Sequence, residues 1–405
     1  MKKILNIIAV AVLLCVAVSC GRQEKAKYVF YFIGDGMSST IVAAAEAYLA
    51  QERGVIGMDP LSFTVFPVMG EATSFSASHI ITDSSAAGTA LSTGEKTKNG
   101  MLCIAPDSTT LQTSIAYKIH DAGFSVGVSS TTTINHATPA SFFGHNIKRG
   151  NYYEIGKEIP ATGFEYFAGG GLYHPNGKDS TQTPNLFDMI ADGGYTICNG
   201  YEDFKTKKDA ERIMLIQSER SEEICPYALG RPEGALTLSQ IVEAGISVLE
   251  RNRKGFFLMT EGGLIDWTAH SNDLAGTIIE TLDFSDAIAV AKAFYDRHPK
   301  ETLIVVTADH ETGGLGLGRR GYTFDLTVID SVKKSDTTTD VEEYMNDRKS
   351  MDSLNRAARV GWTTGSHSGG PVPVWAIGVG SEKFAGRQDN TDIPKKICEA
   401  MGVAF

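Results

Sequence analysis

Acidic and imidazole side chains recur in this sequence at spacings that suit a metal site. Asp266 and His270 are four positions apart, so a helix over this segment would place a carboxylate and an imidazole on one face. Asp309 and His310 are adjacent and directly follow an apolar run, where irregular backbone can direct both side chains inward. His367 stands in a glycine-rich stretch that could wrap around a site. Oxygen and nitrogen ligands without cysteine are typical of catalytic zinc, whereas carboxylates with hydroxyls favour magnesium.

A second chemical feature is the hydroxyl-rich stretch Thr82–Gly94, which reads TDSSAAGTALSTG. Consecutive alanines favour a helix, and a hydroxyl in its first turn would lie among free backbone N–H groups that suit phosphate. The small side chains would also leave room for a substrate. Taken alone, such a stretch is more often a simple helix cap, and a single Asp–His pair is more often a surface or capping pair.

The elements that must position these residues alternate between strands and helices. Apolar, β-branched and aromatic runs predict buried strands at Lys27–Ile33, Phe124–Ser129, Ile213–Gln217, Gly255–Thr260, Thr302–Thr307 and a last strand at Val374–Val379. Helical patterns cover Ser38–Leu49, Leu111–Asp121, Leu236–Leu249, Leu274–Tyr295 and Ile393–Met401. The alternation predicts an α/β fold, a three-layer sandwich with a mostly parallel central sheet, helices on both faces and surface insertions.

The predicted strand ends coincide with the candidate chemistry. Asp35, Glu261 and the Asp309-His310 pair each come just after an apolar run. In open α/β sheets, ligands bind at the edge formed by the carboxyl ends of the strands. We therefore expect these side chains to converge at one edge of the sheet.

The chain has 405 residues and a net charge of −11. The negative charge argues against a nucleic-acid-binding surface. Residues 28–405 are expected to form a single domain with a polar surface insertion near 322–360, preceded by a tether at 21–27. Four cysteines of the body have no CxxC spacing and could pair in three ways or stay free: Cys103, Cys198, Cys225 and Cys398.

The first 20 residues predict a secretory signal. Lys2 and Lys3 precede an apolar core over Ile4–Val18, and Ala17-Val18-Ser19-Cys20-Gly21 resembles a bacterial lipobox. This pattern predicts lipid attachment at Cys20 and a periplasmic location, the alternative being a plain signal peptide cut near Cys20. No later run is apolar over the roughly 20 residues that a membrane helix needs.

Six motifs together closely resemble the alkaline phosphatase family over nearly the whole mature chain. The motifs resemble those of the family in residue types, in order along the chain and in spacing. They are IGDGM (Ile33–Met37), TDSSAAGTALSTG (Thr82–Gly94), HATPA (His136–Ala140) followed by Arg149, EGGLIDWTAH (Glu261–His270), TADHETGG (Thr307–Gly314) and GSHSGG (Gly365–Gly370).

The resemblance implies two Zn²⁺ and one Mg²⁺ per chain. The implied ligands are Asp266, His270 and His367 for one zinc; Asp35, Asp309 and His310 for the second zinc, which also contacts Ser84; and Thr138 and Glu261 for magnesium, with Asp35 as a bridge. Such a metal pair would activate a serine hydroxyl and stabilise the entering and leaving oxygens of an in-line displacement at phosphorus.

The resemblance also implies roles at the reacting phosphate. Ser84 is the implied nucleophile that becomes phosphorylated, with Ser85 as the adjacent rival. Arg149 is the implied phosphate clamp, positioned by Asp83, because a guanidinium can bind two phosphate oxygens at once.

Two positions near the expected site vary within the family. Where some members carry Asp near the magnesium, this chain has His136, and where some carry Lys after the zinc-ligand Asp, it has Trp267. His136 could ligate or crowd the third metal, favouring zinc or cobalt there, while Trp267 cannot contact phosphate by charge. Core packing of both residues is an equally open interpretation.

The implied function is hydrolysis of small phosphate monoesters to inorganic phosphate through a phosphoserine. One alternative is a phosphodiesterase or sulfatase-like hydrolase on the same scaffold; the presence of Arg149 and Ser84 argues against it. A second alternative is a non-catalytic, metal-holding lipoprotein, but the implied ligand set is complete. The resemblance also leaves room for a homodimer, with 322–360 as a candidate interface segment.

Overall fold

The computed structural model describes residues 24–181, 184–333 and 338–405. The predicted signal Met1–Cys20 and the first residues of the predicted tether lie outside the described residues. Within these ranges the chain forms one continuous hydrophobic core around a large central sheet.

The central sheet has ten strands, and four shorter strands form two small two-stranded sheets. In chain order the strands are β1 (Tyr28–Gly34), β2 (Val68–Thr73), β3 (Ser125–Ser130), β4 (Tyr166–Gly169), β5 (Thr196–Asn199), β6 (Ile213–Ile216), β7 (Phe256–Gly262), β8 (Thr302–Thr307), β9 (Glu311–Thr312), β10 (Leu315–Leu317), β11 (Val360–Trp362), β12 (His367–Ser368), β13 (Val372–Gly378) and β14 (Gly386–Asp389). The central sheet runs in the order β14-β2-β13-β8-β1-β7-β3-β4-β6-β5, and only β13 is antiparallel to its neighbours.

Helices cover both faces of this sheet. They are α1 (Ser39–Glu52), α2 (Ser84–Thr93), α3 (Ile115–Asp121), α4 (Ala137–Ala140), α5 (Tyr152–Gly156), α6 (Ile159–Thr162), α7 (Leu186–Asp192), α8 (Gly200–Lys207), α9 (Leu238–Leu249), α10 (Leu264–His270), α11 (Leu274–Arg297), α12 (Asp330–Lys333), α13 (Thr338–Asn346), α14 (Arg348–Ala358) and α15 (Asp392–Met401). Helices α1, α9, α10 and α11 pack together in one layer, and α2, α3, α4 and α15 in the other. The predicted α/β sandwich with a mostly parallel sheet is confirmed.

The middle of the sheet explains why the acidic residues converge. Strand β1 is buried along its whole length, as its sequence YVFYFIG requires of a strand covered on both faces. It pairs in parallel with both β7 and β8, so that Ile33 lies opposite Glu261 on one side and Thr307 on the other. The segments that follow these three strands therefore leave the sheet at the same edge.

Several strand and helix predictions were incomplete. Strands β2, β4 and β5 were not predicted, and Val374–Val379 is not the last strand, because β14 follows it at Gly386–Asp389. Strand β14 is polar and β2 is of mixed composition, and both are partly exposed at one end of the sheet, so they lack the apolar pattern of a buried strand. The helix expected from Leu111 begins at Ile115, since Leu111 instead forms a β-bridge with Ile104.

The polar segment 322–360 forms helices α12 to α14 and packs onto the body of the domain. Leu326, Ile329, Met351 and Ala358 are buried in the same core as the central sheet. The Tyr344 hydroxyl donates a hydrogen bond to Asp273 at the start of α11 (2.7 Å). This segment therefore packs as an integral part of the domain, against the start of α11.

The four body cysteines are buried free thiols, which settles the alternatives that their spacing left open: Cys103, Cys198, Cys225 and Cys398. Burial raises the pKa of the Cys103 and Cys225 thiols to about 12 in each case, so both stay protonated. Among the described helices, none combines the length and apolarity needed to cross a membrane.

Candidate active site

The nucleophile candidate stands at the first turn of a buried helix. Asp83 caps helix α2 by accepting a hydrogen bond from the Ala86 N–H (3.1 Å), which places Ser84 at the first helical position. The Ser84 Oγ lies 3.2 Å from Nε2 of His310. The neighbouring Ser85 hydroxyl donates to Asp83 Oδ2 (2.7 Å) and is fully buried. Ser84 is thus the serine that faces the cluster of imidazoles and carboxylates.

Asp83 also holds the candidate phosphate clamp. Its Oδ2 accepts hydrogen bonds from the Arg149 guanidinium (3.1 Å) and from the Gly100 N–H (3.1 Å). Burial alone would raise the pKa of Asp83, but Arg149 and the hydrogen-bond donors outweigh it and lower that pKa. The carboxylate is therefore ionised and fixes one edge of the guanidinium beside Ser84.

Asp35, Asp309 and His310 form one buried cluster. Nε2 of His310 lies 3.4 Å from Asp35 Oδ1 and 3.2 Å from Asp309 Oδ2, and all three side chains are fully buried. Burial and repulsion from Asp309 raise the pKa of Asp35 well above its ordinary range. Burial and repulsion from Asp266 raise the pKa of Asp309 to about 8. Gly36 adopts a positive φ here, and its N–H donates to Asp309 Oδ1 (3.1 Å). A Cβ at Gly36 would meet the Asp266 carboxylate at 2.9 Å, so the turn requires glycine.

Asp266, His270 and His367 lie beside that cluster. Helix α10 places Nε2 of His270 3.3 Å from Asp266 Oδ2, as the four-residue spacing predicted, and Nε2 of His367 lies 3.7 Å from Asp266 Oδ1. His310 also belongs to this group, since its ring stacks on that of His367 with centroids 3.5 Å apart. The potential ligand atoms of Asp266, His310 and His367 all lie within 4.8 Å of one another. His310 therefore stands between the two groups.

Backbone carbonyls orient two of these imidazoles. The Nδ1–H of His270 donates to the Gly365 carbonyl (2.8 Å), and the Nδ1–H of His367 donates to the Thr82 carbonyl (2.8 Å). Each ring consequently directs its Nε2 atom toward Asp266. Hydrogen bonds of this kind are the usual way in which proteins fix the tautomer of a metal-binding histidine.

Glu261 and Thr138 form a third buried group. Glu261 is fully buried at the end of β7, and its Oε2 accepts hydrogen bonds from the hydroxyls of Ser130 and Thr132. Burial raises the pKa of Glu261. Thr138 lies in the short helix α4, directly before Pro139.

Several buried polar atoms of these groups find no hydrogen-bond partner among the described residues. They are both carboxylate oxygens of Asp35, Asp309 Oδ2, Glu261 Oε1 and Thr138 Oγ1. Buried anionic oxygens are costly unless they are paired or coordinate a metal. Unpaired oxygens, imidazoles and the absence of cysteine from the described site together fit the ligand preferences of Zn²⁺ and Mg²⁺.

The chain matches the family model described as "Alkaline phosphatase" over residues 26–403. It is 31% identical to alkaline phosphatase 3 of Bacillus subtilis (strain 168), over 94% of this chain and 90% of that protein.

This chain belongs to the alkaline phosphatase family.

Solved structures agree with this family membership. The cold-active alkaline phosphatase from a psychrophilic Shewanella sp. superposes with a TM-score of 0.80 at 28% identity, covering 92% of this chain and 99% of that one. A histidine-to-glutamate variant of the alkaline phosphatase TAB5, solved with Mg bound in its M3 site, gives a TM-score of 0.76 at 27% identity, covering 95% of this chain and all of that one. The chain is accordingly a metal-dependent hydrolase of phosphate monoesters, and the predicted family, fold and enzyme class are confirmed.

His136 and Trp267 lie at the mouth of the alkaline phosphatase site. Nε2 of His136 is 3.5 Å from an Arg149 nitrogen, and its ring packs edge-on against Trp267 with centroids 5.8 Å apart. Burial, reinforced by the nearby guanidinium, lowers the pKa of His136 to about 3, so the imidazole is neutral. His136 is thus close to the phosphate clamp and also packs within an aromatic group with Tyr152 and Tyr173.

An open cavity of 430 Å³ connects these groups to solvent. Predicted residues on its lining are Ser84, His136, Arg149, Asp266, Trp267, His270 and His367. Tyr227 and Ser271 also line it, and sequence reasoning missed both. Ser271 directly follows the EGGLIDWTAH motif, which was a usable signal, whereas Tyr227 comes from an irregular segment with no motif.

Sequence reasoning also made no prediction for the hydroxyl residues that hydrogen-bond to the candidate metal ligands Asp266 and Glu261. Thr312 donates a hydrogen bond to Asp266 Oδ1 (2.5 Å), and its place inside the TADHETGG motif was the available signal. Ser130 is the last residue of β3, and Thr132 follows it; both donate hydrogen bonds to Glu261, and both lie beyond the strand predicted at Phe124–Ser129.

Proposed function

We propose that this alkaline phosphatase transfers the phosphoryl group of a monoester to Ser84 and then hydrolyses the phosphoserine. The contact that carries this proposal is the 3.2 Å approach of Ser84 Oγ to His310 Nε2, at a helix start that also holds Arg149 through Asp83. Free N–H groups at the start of α2 favour the phosphate anion there.

We assign the metals as the family resemblance implies. One zinc is held by Asp266, His270 and His367, the second by Asp35, Asp309 and His310, and magnesium by Thr138, Glu261 and Asp35. The unpaired oxygens of Asp35, Asp309, Glu261 and Thr138 support this assignment, as do the Nε2 atoms of His270 and His367 that face Asp266. When bound, these ions supply Lewis-acid chemistry that lowers the pKa of coordinated hydroxyl groups and stabilises developing negative charge.

The protein side chains account for binding and direction of attack. Arg149 is held on one edge by Asp83 and presents its other nitrogens to two phosphate oxygens. Ser84 Oγ gives up its proton to solvent and attacks phosphorus in line with the departing alcohol oxygen. The Oγ–phosphorus bond forms as the ester bond breaks, and the alcohol leaves with a proton from solvent. In the second half of the cycle a water molecule attacks the same phosphorus and releases a proton, and Ser84 Oγ leaves and takes up a proton.

His136 affects the metal preference of the proposed third metal site. A neutral imidazole offers a nitrogen ligand with no negative charge, whereas magnesium prefers hard oxygen ligands. Its Nδ1 is buried and finds no hydrogen-bond partner among the described residues, which supports a ligand role for that atom. We therefore assign weaker magnesium selectivity to this site than an aspartate would give.

The test compares p-nitrophenol release from p-nitrophenyl phosphate and bis-p-nitrophenyl phosphate, with metal content measured in the same preparation. We expect strong preference for the monoester, loss of activity with a chelator, and recovery on adding zinc with magnesium. Acid quenching during turnover should leave phosphate on the peptide that carries Ser84. Preference for the diester would contradict the proposal, and so would full activity in the metal-free protein.

We propose that the mature enzyme is periplasmic, lipid-anchored through Cys20 and homodimeric. The charged start, apolar core and lipobox-like end of residues 1–21 support the anchor. A Cys20→Ser variant should be released from membranes as a soluble form, and sedimentation of that form should report a dimer. Recovery of the wild type as an unlipidated soluble protein would contradict the anchor, and a monomer would contradict the dimer.

A further inference from the structure

A second and larger cavity adjoins the phosphate cavity. Its volume is 710 Å³, against 430 Å³ for the phosphate cavity. The two share Tyr227, Trp267 and Ser271 on their linings. An occupant of one can therefore extend into the other past the Tyr227 and Trp267 rings.

The second cavity has apolar walls, and polar residues also line it: Thr268, Ser271, Asp273 and Asn346. One wall is the segment 226–232, which contributes Leu229 and two prolines, and the opposite wall comes from helices α13 and α14, which contribute Val341, Met345 and Met351. Leu229, Val341 and Met351 are buried, and Met345 is partly exposed. Sites that bind drug-sized organic molecules have this size and combine apolar walls with a few polar groups.

Both walls are fastened to helix α11, so the cavity is preformed. Arg231 makes a bidentate ion pair with Asp283 (2.7 and 2.9 Å), and the Ala228 N–H donates to Glu280 (2.6 Å). On the other side the Tyr344 hydroxyl donates to Asp273 at the N-terminus of the same helix (2.7 Å). A preformed site binds its ligand without the cost of ordering loops.

We propose that this cavity is a binding subsite for the alcohol part of the substrate. It selects phosphate monoesters whose alcohol carries an aromatic or alkyl body. The phosphate group needs only Arg149, Ser84 and the metal ligands, so the rest of the ester must leave through the mouth of the phosphate cavity. The continuity at Tyr227 and Trp267 directs an apolar body into the second cavity, where it is removed from water. This inference rests on the proposed function, because the occupant is part of the substrate.

The experiment compares ethyl phosphate with 2-phenylethyl phosphate in the zinc- and magnesium-loaded enzyme. Both release primary alcohols, so a difference in kcat/KM reports binding of the phenyl group more than the chemical step. Burying a phenyl ring predicts about 10- to 30-fold higher kcat/KM for 2-phenylethyl phosphate in the wild type.

Variants at Met345 locate the effect. Met345→Glu should reduce the preference to about threefold or less, while ethyl phosphate keeps its kcat/KM within about twofold. Met345→Leu should retain the preference because it preserves an apolar side chain. Met58→Glu is the matched control, since Met58 is 55% exposed and does not line the cavity.

The outcomes separate this inference from the proposed function. Equal kcat/KM for the two esters in the wild type would overturn the subsite and leave the phosphatase activity standing. A preference that persists in Met345→Glu, or an equal loss for both esters, would also overturn it. Failure of the loaded wild type to hydrolyse either ester or p-nitrophenyl phosphate would overturn the proposed function and the subsite with it.

Discussion

The hydroxyl of Ser84 lies 3.2 Å from the Nε2 atom of His310, although 226 positions separate the two residues in the chain. The same nitrogen lies within 3.4 Å of Asp35 and within 3.2 Å of Asp309. A cluster of imidazole and carboxylate groups is thereby placed directly against one serine and not against its neighbour Ser85. This relationship leads to the first prediction.

Ser84→Ala should lower kcat for p-nitrophenyl phosphate by roughly 10³-fold or more while zinc content and the unfolding midpoint stay near wild type. The matched control is Ser85→Ala, which removes only a hydrogen bond to Asp83 and should cost about tenfold or less. Steady-state kinetics, metal analysis and thermal unfolding check both variants. A larger loss in Ser85→Ala than in Ser84→Ala would transfer the nucleophile to Ser85.

His367→Ala should lose one zinc ion per chain and most of the activity. The variant removes an imidazole whose Nδ1–H is held by the Thr82 carbonyl and whose Nε2 faces Asp266. Plasma mass spectrometry of the dialysed protein measures the zinc, with His79→Ala as the control because His79 is an exposed histidine. Full zinc occupancy in His367→Ala would remove His367 from the ligand set.

Arg149→Ala should discriminate between monoesters and diesters. A monoester offers two free oxygens to the guanidinium, and loss of this charge-assisted pair should lower kcat/KM by about 30- to 1,000-fold. A diester uses the clamp less fully, so its loss should be much smaller, and product phosphate should inhibit the variant more weakly. Arg253→Ala, at an exposed arginine, is the control. Equal losses for both substrates would indicate that Arg149 acts structurally.

His136→Asp should strengthen the response to magnesium. The substitution replaces a neutral nitrogen ligand, whose pKa burial lowers to about 3, with a charged oxygen ligand that magnesium prefers. Titrating Mg²⁺ into zinc-loaded protein should show half-maximal activation at a concentration about tenfold or more lower than in the wild type. The control is His79→Asp, which adds the same charge on the surface. An unchanged magnesium titration would place His136 outside the third site.

Glu280 should make the free energy of unfolding decrease as the pH rises towards about 8. Burial, reinforced by Asp283, raises the pKa of Glu280 to about 8 in the folded protein, against about 4.3 for an unperturbed glutamate. Between these values the folded state holds a proton that the unfolded state has released, so the free energy of unfolding decreases by up to about 1.4 kcal/mol per pH unit and levels off above pH ~8.

Glu280→Gln should therefore flatten this decline, because the amide keeps an acceptor for the Ala228 N–H without ionising. Urea midpoints from pH 5 to 9 measure the effect, with Glu250→Gln as the exposed control. Parallel pH curves for the wild type and Glu280→Gln would show that Glu280 titrates normally.

Local patterns in the sequence were sufficient to predict the residue types of the candidate site and the fold class. The spacing of Asp266 and His270 places both on one helical face because helix geometry is set by neighbours along the chain. The apolar runs before Asp35 and Asp309 identified buried parallel strands, and in such a sheet the strand ends share an edge. Edge strands such as Gly386–Asp389 were missed because partial exposure removes the hydrophobic signal.

Tertiary structure alone decided which of these residues meet and what surrounds them. The contact between Ser84 and His310 depends on strand order and register, which arise from packing over the whole sheet and have no local signature. The same holds for the cavity beside Trp267, whose walls come from segment 226–232 and from helices α13 and α14. Side chains determine local conformation through their nearest neighbours along the chain. This cavity, in contrast, forms because two segments distant in sequence each make their own contacts with helix α11.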